Sequence, residues 1–372
     1  MATTLFDPFD LSGLKLNNRI VMAPLTRNRS PGGIPGLMTA IYYAQRASAG
    51  LIITESTAIS SQGQSYANVP ELYSQAALDG WCAVTRAVHA KDGKIFVQLW
   101  HAGRISHFKL QPGGQAPVAP SAIRAQSRTY LEDSSGQGKF VPASQPRALE
   151  ADELPGVVEE YCRAARAAMA VGFDGVEIHA ANGYLLDQFL RSNSNHRHDS
   201  YGGSIENRAR FLFEIVEAVA REVGAERTAI RLSPVTPTND VFDSQPQPLF
   251  EYVVRGLAKY ALSYVHIIEG ATSGPRDYRQ GEIPFDYSDL KDVYQVVGGR
   301  AAWMLNNGYD LALAQQTVAT NQADLIAFGH LFISNPDLVE RLRQGASLTP
   351  PDKSTFYGGN EHGYTDYPFM SG

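Results

Sequence analysis

His179, Asn182 and Tyr184 fall within six residues of one another, in the run GVEIHAANGYLLDQF. The apolar, β-rich residues before them place them at the end of a candidate strand. The same arrangement recurs along the chain. Pro24, Leu25 and Thr26 end or follow IVMAPL, and Ser56 closes LIITEST. Gln98 and Trp100 lie in KIFVQLWH, and Arg231 lies in TAIRLSP. Asn307 and Gly308 follow AWMLN, and Gly329 and His330 end LIAFGH. Burying a neutral polar group without partners costs roughly 2–7 kcal/mol, so polar residues at such places face a polar ligand or one another. Gln98 can both donate and accept, as a pyrimidine edge requires. Arg231 can neutralise negative charge beside such a ring. Gly308 and Gly329 suit phosphate held on backbone N–H groups near a helix start. The set fits a planar polar heterocycle carrying a phosphate. Flavin mononucleotide (FMN) is one such ligand, and other phosphorylated ligands fit it too. Each residue also has a structural reading. Arg231 could be an ion-pair partner, Gln98 could be satisfied by backbone, His179 and Asn182 could be paired core groups, and Trp100 and Tyr184 could be packing aromatics. Their coincidence at strand ends favours a common ligand.

The elements that must carry these residues are eight apolar runs: Ile20–Leu25, Leu51–Thr57, Lys94–His101, Gly175–Ala181, Thr228–Pro234, Tyr264–Gly270, Ala301–Asn307 and Leu325–His330. They are continuous rather than alternating, as parallel strands covered by helices are. Helical patterns separate them, among them Gln75–Lys91, Glu153–Val171, Ile205–Val223, Pro248–Tyr260, Tyr309–Thr320 and Pro336–Arg343. Val157, Tyr161, Ala164, Ala165 and Ala168 share one face of the second, and Ser204 is a candidate N-cap of the third. Eight βα units predict an α/β fold, a (β/α)₈ TIM barrel spanning 1–372 as a single domain. An open doubly wound sheet would want GxGxxG after its first strand, but LTRNRS stands there. Residues 102–150, rich in Gly, Pro, Ser and Gln, form a long excursion after strand three, on the face where barrel sites lie. A capping role and a plain surface loop both suit it.

The 372 residues carry a net charge of −6 and no basic run, which argues against nucleic acid and anionic membranes. Two cysteines, Cys82 and Cys162, form no metal or disulfide pattern, so no metal site is expected. No signal peptide and no membrane span is visible, so the chain reads as cytoplasmic.

The segments APLTR, VQLWHAGR and HAANGYLLDQF, with YGGSIENRARF and FISNPDLVERL, together resemble the Old Yellow Enzyme family of FMN-dependent ene-reductases. The likeness runs over nearly the whole chain. It implies FMN as cofactor, NADPH or NADH as hydride donor, and an activated alkene as substrate, in a monomer or homodimer. By this resemblance Pro24, Leu25 and Thr26 border the flavin ring, beside Ser56. Gln98 holds its pyrimidine edge and Arg231 lies near N1. Asn307, Gly308, Gly329 and His330 belong to the phosphate end. His179 and Asn182 hydrogen-bond the substrate oxygen, and Tyr184 protonates Cα after hydride reaches Cβ. Tyr66, Trp100 and Tyr357 surround the substrate. Two departures stand out: His330 replaces the family's phosphate-binding Arg, and WMLNNGY replaces a small, glycine-rich end of strand seven. A phosphate beside His330 is expected to raise its pKa. Alternatives are reduction of nitrate esters or another flavin reductase activity at the same site, and a flavin-free barrel aldolase or isomerase. A dienoyl-CoA reductase would need an iron–sulfur cluster, which two scattered cysteines cannot ligate.

Overall fold

The computed structural model describes residues 3–133, 137–282 and 284–370. Expectations that fall on 134–136, within the excursion, or on the two terminal residues at each end lie outside the described residues. Eight parallel strands close into a barrel: β1 (Ile20–Met22), β2 (Leu51–Ala58), β3 (Ile95–Trp100), β4 (Gly175–Ala180), β5 (Thr228–Leu232), β6 (Tyr264–Ile268), β7 (Ala302–Asn306) and β8 (Leu325–Phe328). Neighbours in sequence pair, and β8 returns to β1. Every residue of these strands is buried, which is why they read as unbroken apolar runs. β1 is shorter than its apolar run. Pro24 has no N–H for the ladder, so Pro24, Leu25 and Thr26 leave the barrel and stand, half-buried, at its mouth.

The strands alternate with helices α1 (Leu37–Gln45), α2 (Gln75–His89), α3 (Leu154–Ala170), α4 (Leu185–Leu190), α5 (Ile205–Val223), α6 (Pro246–Leu257), α7 (Tyr287–Val296), α8 (Leu311–Ala319), α9 (His330–Ser334) and α10 (Leu338–Gln344). α3 buries Val157, Tyr161, Ala164, Ala165 and Ala168 and leaves Glu159, Arg163 and Arg166 exposed. Ser204 caps α5, its hydroxyl accepting the Asn207 N–H. No helix among the described residues is long and apolar enough to cross a membrane.

An antiparallel hairpin not evident in the sequence, Phe9–Leu11 with Leu14–Leu16, precedes the barrel. Its two-residue turn has φ of 52° at Ser12 and 96° at Gly13, the positive pair that a tight hairpin turn needs. Leu11 and Leu16 pack against Val21, Phe96, Tyr264, Met304 and Leu325, which fill the barrel. The hairpin thus covers the N-terminal end of the barrel. The excursion contributes a second antiparallel hairpin, Arg128–Glu132 with Gly138–Pro142, in which Tyr130 opposes Phe140.

Candidate active site

Two adjoining cavities open at the C-terminal ends of the strands. The inner one, about 310 Å³, is lined by Pro24, Leu25, Thr26, Ser56, Gln98, His179, Asn182, Tyr184, Arg231, Asn307, Gly308, Gly329 and His330, together with neighbours such as Thr272, Asn306 and Tyr309. The outer one, about 220 Å³, adds Tyr66, Tyr130, Phe140, Phe356 and Tyr357. Thus the residues expected from strand ends converge, with one exception. Trp100 lines neither cavity. It is fully buried, beneath the ring of Tyr66 at 5.8 Å and edge-on to Tyr184 at 5.1 Å. It supports the two tyrosines from behind.

A polar layer crosses the barrel at the bottom of the inner cavity. A bulge in β2 between Ile53 and Ser56 shifts the register so that Ser56 opposes Gln98. The Ser56 hydroxyl donates to Gln98 Oε1 at 2.7 Å. Gln98 Nε2 donates to Glu177 Oε1 at 2.7 Å, and Glu177 Oε2 meets His266 Nδ1 at 2.8 Å. Burial alone would raise the Glu177 carboxyl, but His266, Arg231 and Gln98 outweigh it and hold it below its ordinary value. Burial, aided by Arg231, lowers His266, although Glu177 opposes the shift. Glu177 is therefore an anion that balances Arg231 across a buried layer. Arg231 falls to about 10 through burial, so it remains a cation at neutral pH. Its Nη2 donates to Asn306 Oδ1 at 2.7 Å, and its buried Nε has no protein partner.

Above this layer stand His179, Asn182 and Tyr184. His179 is pushed well below its ordinary pKa by burial, then by Arg231 and His266. It is a neutral imidazole, and its buried Nδ1 has no protein partner. Asn182 and Gly183 take φ of 58° and 74°. This left-handed pair turns the chain sharply after β4 and brings Tyr184 back over the cavity. The Asn182 N–H donates to Ser233 Oγ at 2.8 Å, and its carbonyl accepts from Asn239 Nδ2 at 2.8 Å. A hydroxyl chain fixes its side chain. Thr236 Oγ1 accepts the Thr272 N–H at 3.2 Å and donates to Thr272 Oγ1 at 3.1 Å. The Thr272 hydroxyl proton then goes to Asn182 Oδ1 at 2.6 Å. With the amide oxygen so occupied, the amide N–H₂ is the group left for the cavity. Burial, then Tyr66, raises the Tyr184 phenol well above its ordinary value.

The far end of the inner cavity is built from backbone at Gly308 and Gly329. Asn307 has φ of 92°, and its amide donates to the carbonyls of Glu269 and Ala271 at 2.7 and 2.9 Å. Its amide nitrogen therefore ties down the loop after β6. The helix starts that follow differ. Asp310 caps α8 by accepting the Leu313 N–H, whereas Gly329 precedes α9 without any side-chain cap. His330 lines both cavities and packs against Phe356, ring centroids 5.3 Å apart. The protein around it lowers its pKa, through burial first and Lys353 second. The rise expected from a neighbouring phosphate runs against these surroundings.

Residues 4–349 match the NADH:flavin oxidoreductase / NADH oxidase family, which uses FMN. The chain is a member of the Old Yellow Enzyme family. Members similar to it include 12-oxophytodienoate reductase 1 of Oryza sativa subsp. japonica, 42% identical over 99% of this chain and 94% of that protein. 12-oxophytodienoate reductase 2 of Arabidopsis thaliana is 39% identical over 98% of this chain and 96% of its own. Among solved structures, morphinone reductase superposes with a TM-score of 0.93 at 46% identity, covering 100% of this chain and 97% of its own. The Old Yellow Enzyme homologue from Zymomonas mobilis gives 0.92 at 40%, covering 99% and 100%. This Old Yellow Enzyme relative is thus an FMN-dependent ene-reductase that takes hydride from a nicotinamide.

The residues present fit FMN. The unpartnered Arg231 Nε is a buried donor in the cavity wall. Gln98 has one N–H and one lone pair engaged inside the protein, which leaves one of each. A Cβ at Gly329 would touch Leu25 at 3.4 Å, so the wall there is close and side-chain-free. Other site residues were not singled out in the sequence. Glu177 and His266 were visible as charged or polar interruptions of apolar strands. Thr272, Asn239, Tyr130 and Phe140 lie on loops and a hairpin, where no periodicity marks them.

Proposed function

We propose that His179 and Asn182 hold the oxygen of an α,β-unsaturated carbonyl or nitroalkene while Tyr184 protonates Cα. The observation that carries this reading is their convergence on one cavity. A neutral buried imidazole, an amide whose oxygen is already taken, and a neutral phenol all face it. As the alkene accepts hydride at Cβ, negative charge grows on its oxygen. Two fixed donors there act as an oxyanion hole, each worth on the order of 3 kcal/mol when well aimed. Tyr184 keeps its proton at neutral pH and serves as general acid.

Pro24, Leu25, Thr26, Ser56, Gln98 and Arg231 would hold the flavin ring, and main chain at Asn307, Gly308 and Gly329, with His330, its phosphate. Bound FMN supplies the hydride chemistry, with NADPH or NADH as donor. Tyr66 and Tyr357 would flank the substrate, with Tyr130 and Phe140 as the outer wall. The deciding experiment is anaerobic reduction with each nicotinamide, then reoxidation by enones, nitroalkenes and nitrate esters. Fast reoxidation by enones and nitroalkenes, with Tyr184→Phe slowing enones most, is the expected result. Reoxidation by nitrate esters alone, or an enone rate indifferent to Tyr184→Phe, would overturn the reading.

A further inference from the structure

Tyr184 has a phenolic neighbour. The Tyr66 hydroxyl lies 3.0 Å from that of Tyr184. The Asn239 side chain, which donates to the Asn182 carbonyl at 2.8 Å, lies close enough to lower the pKa of both phenols. Trp100, parallel to one ring and perpendicular to the other, fixes the pair. Their surroundings differ. Tyr184 lines both cavities, and Tyr66 only the outer one. Tyr66 lines the outer cavity and also a surface groove with Gln64, Asn68, Glu71 and Lys109, which Tyr184 does not reach. Burial raises both phenols, and of the two only Tyr66 also borders the outer groove.

We propose that Tyr66 and Tyr184 form a two-proton relay that delivers the Cα proton from the outer groove. As Tyr184 O–H breaks and Cα–H forms, Tyr66 O–H breaks and a new O–H forms on Tyr184. The negative charge of the enolate ends on the Tyr66 oxygen, beside the Asn239 amide. Water in the groove returns the proton to Tyr66 and leaves hydroxide. One hydride, from the reductase activity, and one proton have then been added across the double bond. Tyr66 is in this sense a positioning and recharging residue for the acid, and the inference rests on Tyr184 being that acid.

The test uses pre-reduced holoenzyme, mixed anaerobically with an enone in a stopped-flow instrument across mixtures of H₂O and D₂O. Wild type should give a bowed dependence of rate on deuterium fraction, because two protons move together. Tyr66→Phe should make it linear and slow reoxidation about tenfold, less than the roughly 10²–10⁴-fold cost of losing a general acid outright. A linear wild-type plot, or a Tyr66→Phe enzyme matching wild type in rate and curvature, overturns the relay. If Tyr66 only shapes the pocket, enone affinity shifts while the curvature stays. Should Tyr184→Phe itself leave the enone rate intact, the acid assignment fails. A slow Tyr184→Phe beside a wild-type-like Tyr66→Phe defeats the relay alone.

Discussion

Replacing Thr272 with Val removes one hydroxyl and little volume. The structure specifies what that hydroxyl does. It is the only link in the Thr236–Thr272–Asn182 chain that donates to the Asn182 amide oxygen, at 2.6 Å. Without it the amide can rotate by half a turn and present oxygen to a substrate oxygen. The lost bond is worth about 0.5–1.5 kcal/mol net, and the stranded acceptor adds about 1 kcal/mol more. A loss of about 1.5–2.5 kcal/mol in holding a substrate oxygen corresponds to roughly 10–70-fold weaker binding. A phenol, whose oxygen can take the place of the substrate oxygen, tests this without turnover, read from the flavin absorbance. Titration of Thr272→Val with a phenol should show that weakening, and the enone kcat/KM should fall in step. Thr272→Ser, which keeps the hydroxyl, should stay near wild type. A folded Thr272→Val enzyme with unchanged phenol affinity would refute the idea that this hydroxyl sets the amide.

Three other outcomes follow from the same site. Glu177→Gln leaves Arg231 without its buried counter-charge and should cost about 3–5 kcal/mol, read by thermal unfolding; a loss near zero would show that Glu177 is protonated in the fold. His330 is held low by its surroundings, and a bound phosphate pushes the other way. Proton uptake should therefore accompany FMN binding, and affinity should weaken as pH rises through the bound-state pKa. Titration of apoprotein with FMN from pH 6 to 9 checks this, and His330→Arg should bind more tightly with a flat profile. Thr26→Ala should lower the flavin potential by removing a hydroxyl that lines both cavities; a potential that stays fixed would place Thr26 outside the flavin's reach.

The barrel strands were legible in sequence because parallel strands buried on both faces have no polar side to blur the pattern. Their ends were less so: Ile20–Leu25 stops at Met22, where Pro24 cannot continue the ladder. The hairpin at Phe9–Leu16 was hidden, since two three-residue strands leave almost no periodicity. His179, Gln98 and Arg231 could be found as polar residues in apolar runs. Trp100 was visible as an aromatic in an apolar run, but not that it packs against both Tyr66 and Tyr184. Nor could Thr272 be found, which meets Asn182 across 90 residues only when the barrel closes. Asn307 was visible, but not that its amide serves a loop.

Four aromatic residues in the wall of the outer cavity lie outside the barrel's strand ladder. Tyr130 and Phe140 come from the hairpin of the excursion, and Phe356 and Tyr357 from the chain after α10. A mutation in either changes what fits without breaking a strand pair or disturbing the polar layer beneath. Substrate range and fold stability are thus separately heritable in this protein. Selection can redraw the mouth many times over while the donors and the acid stay where they are.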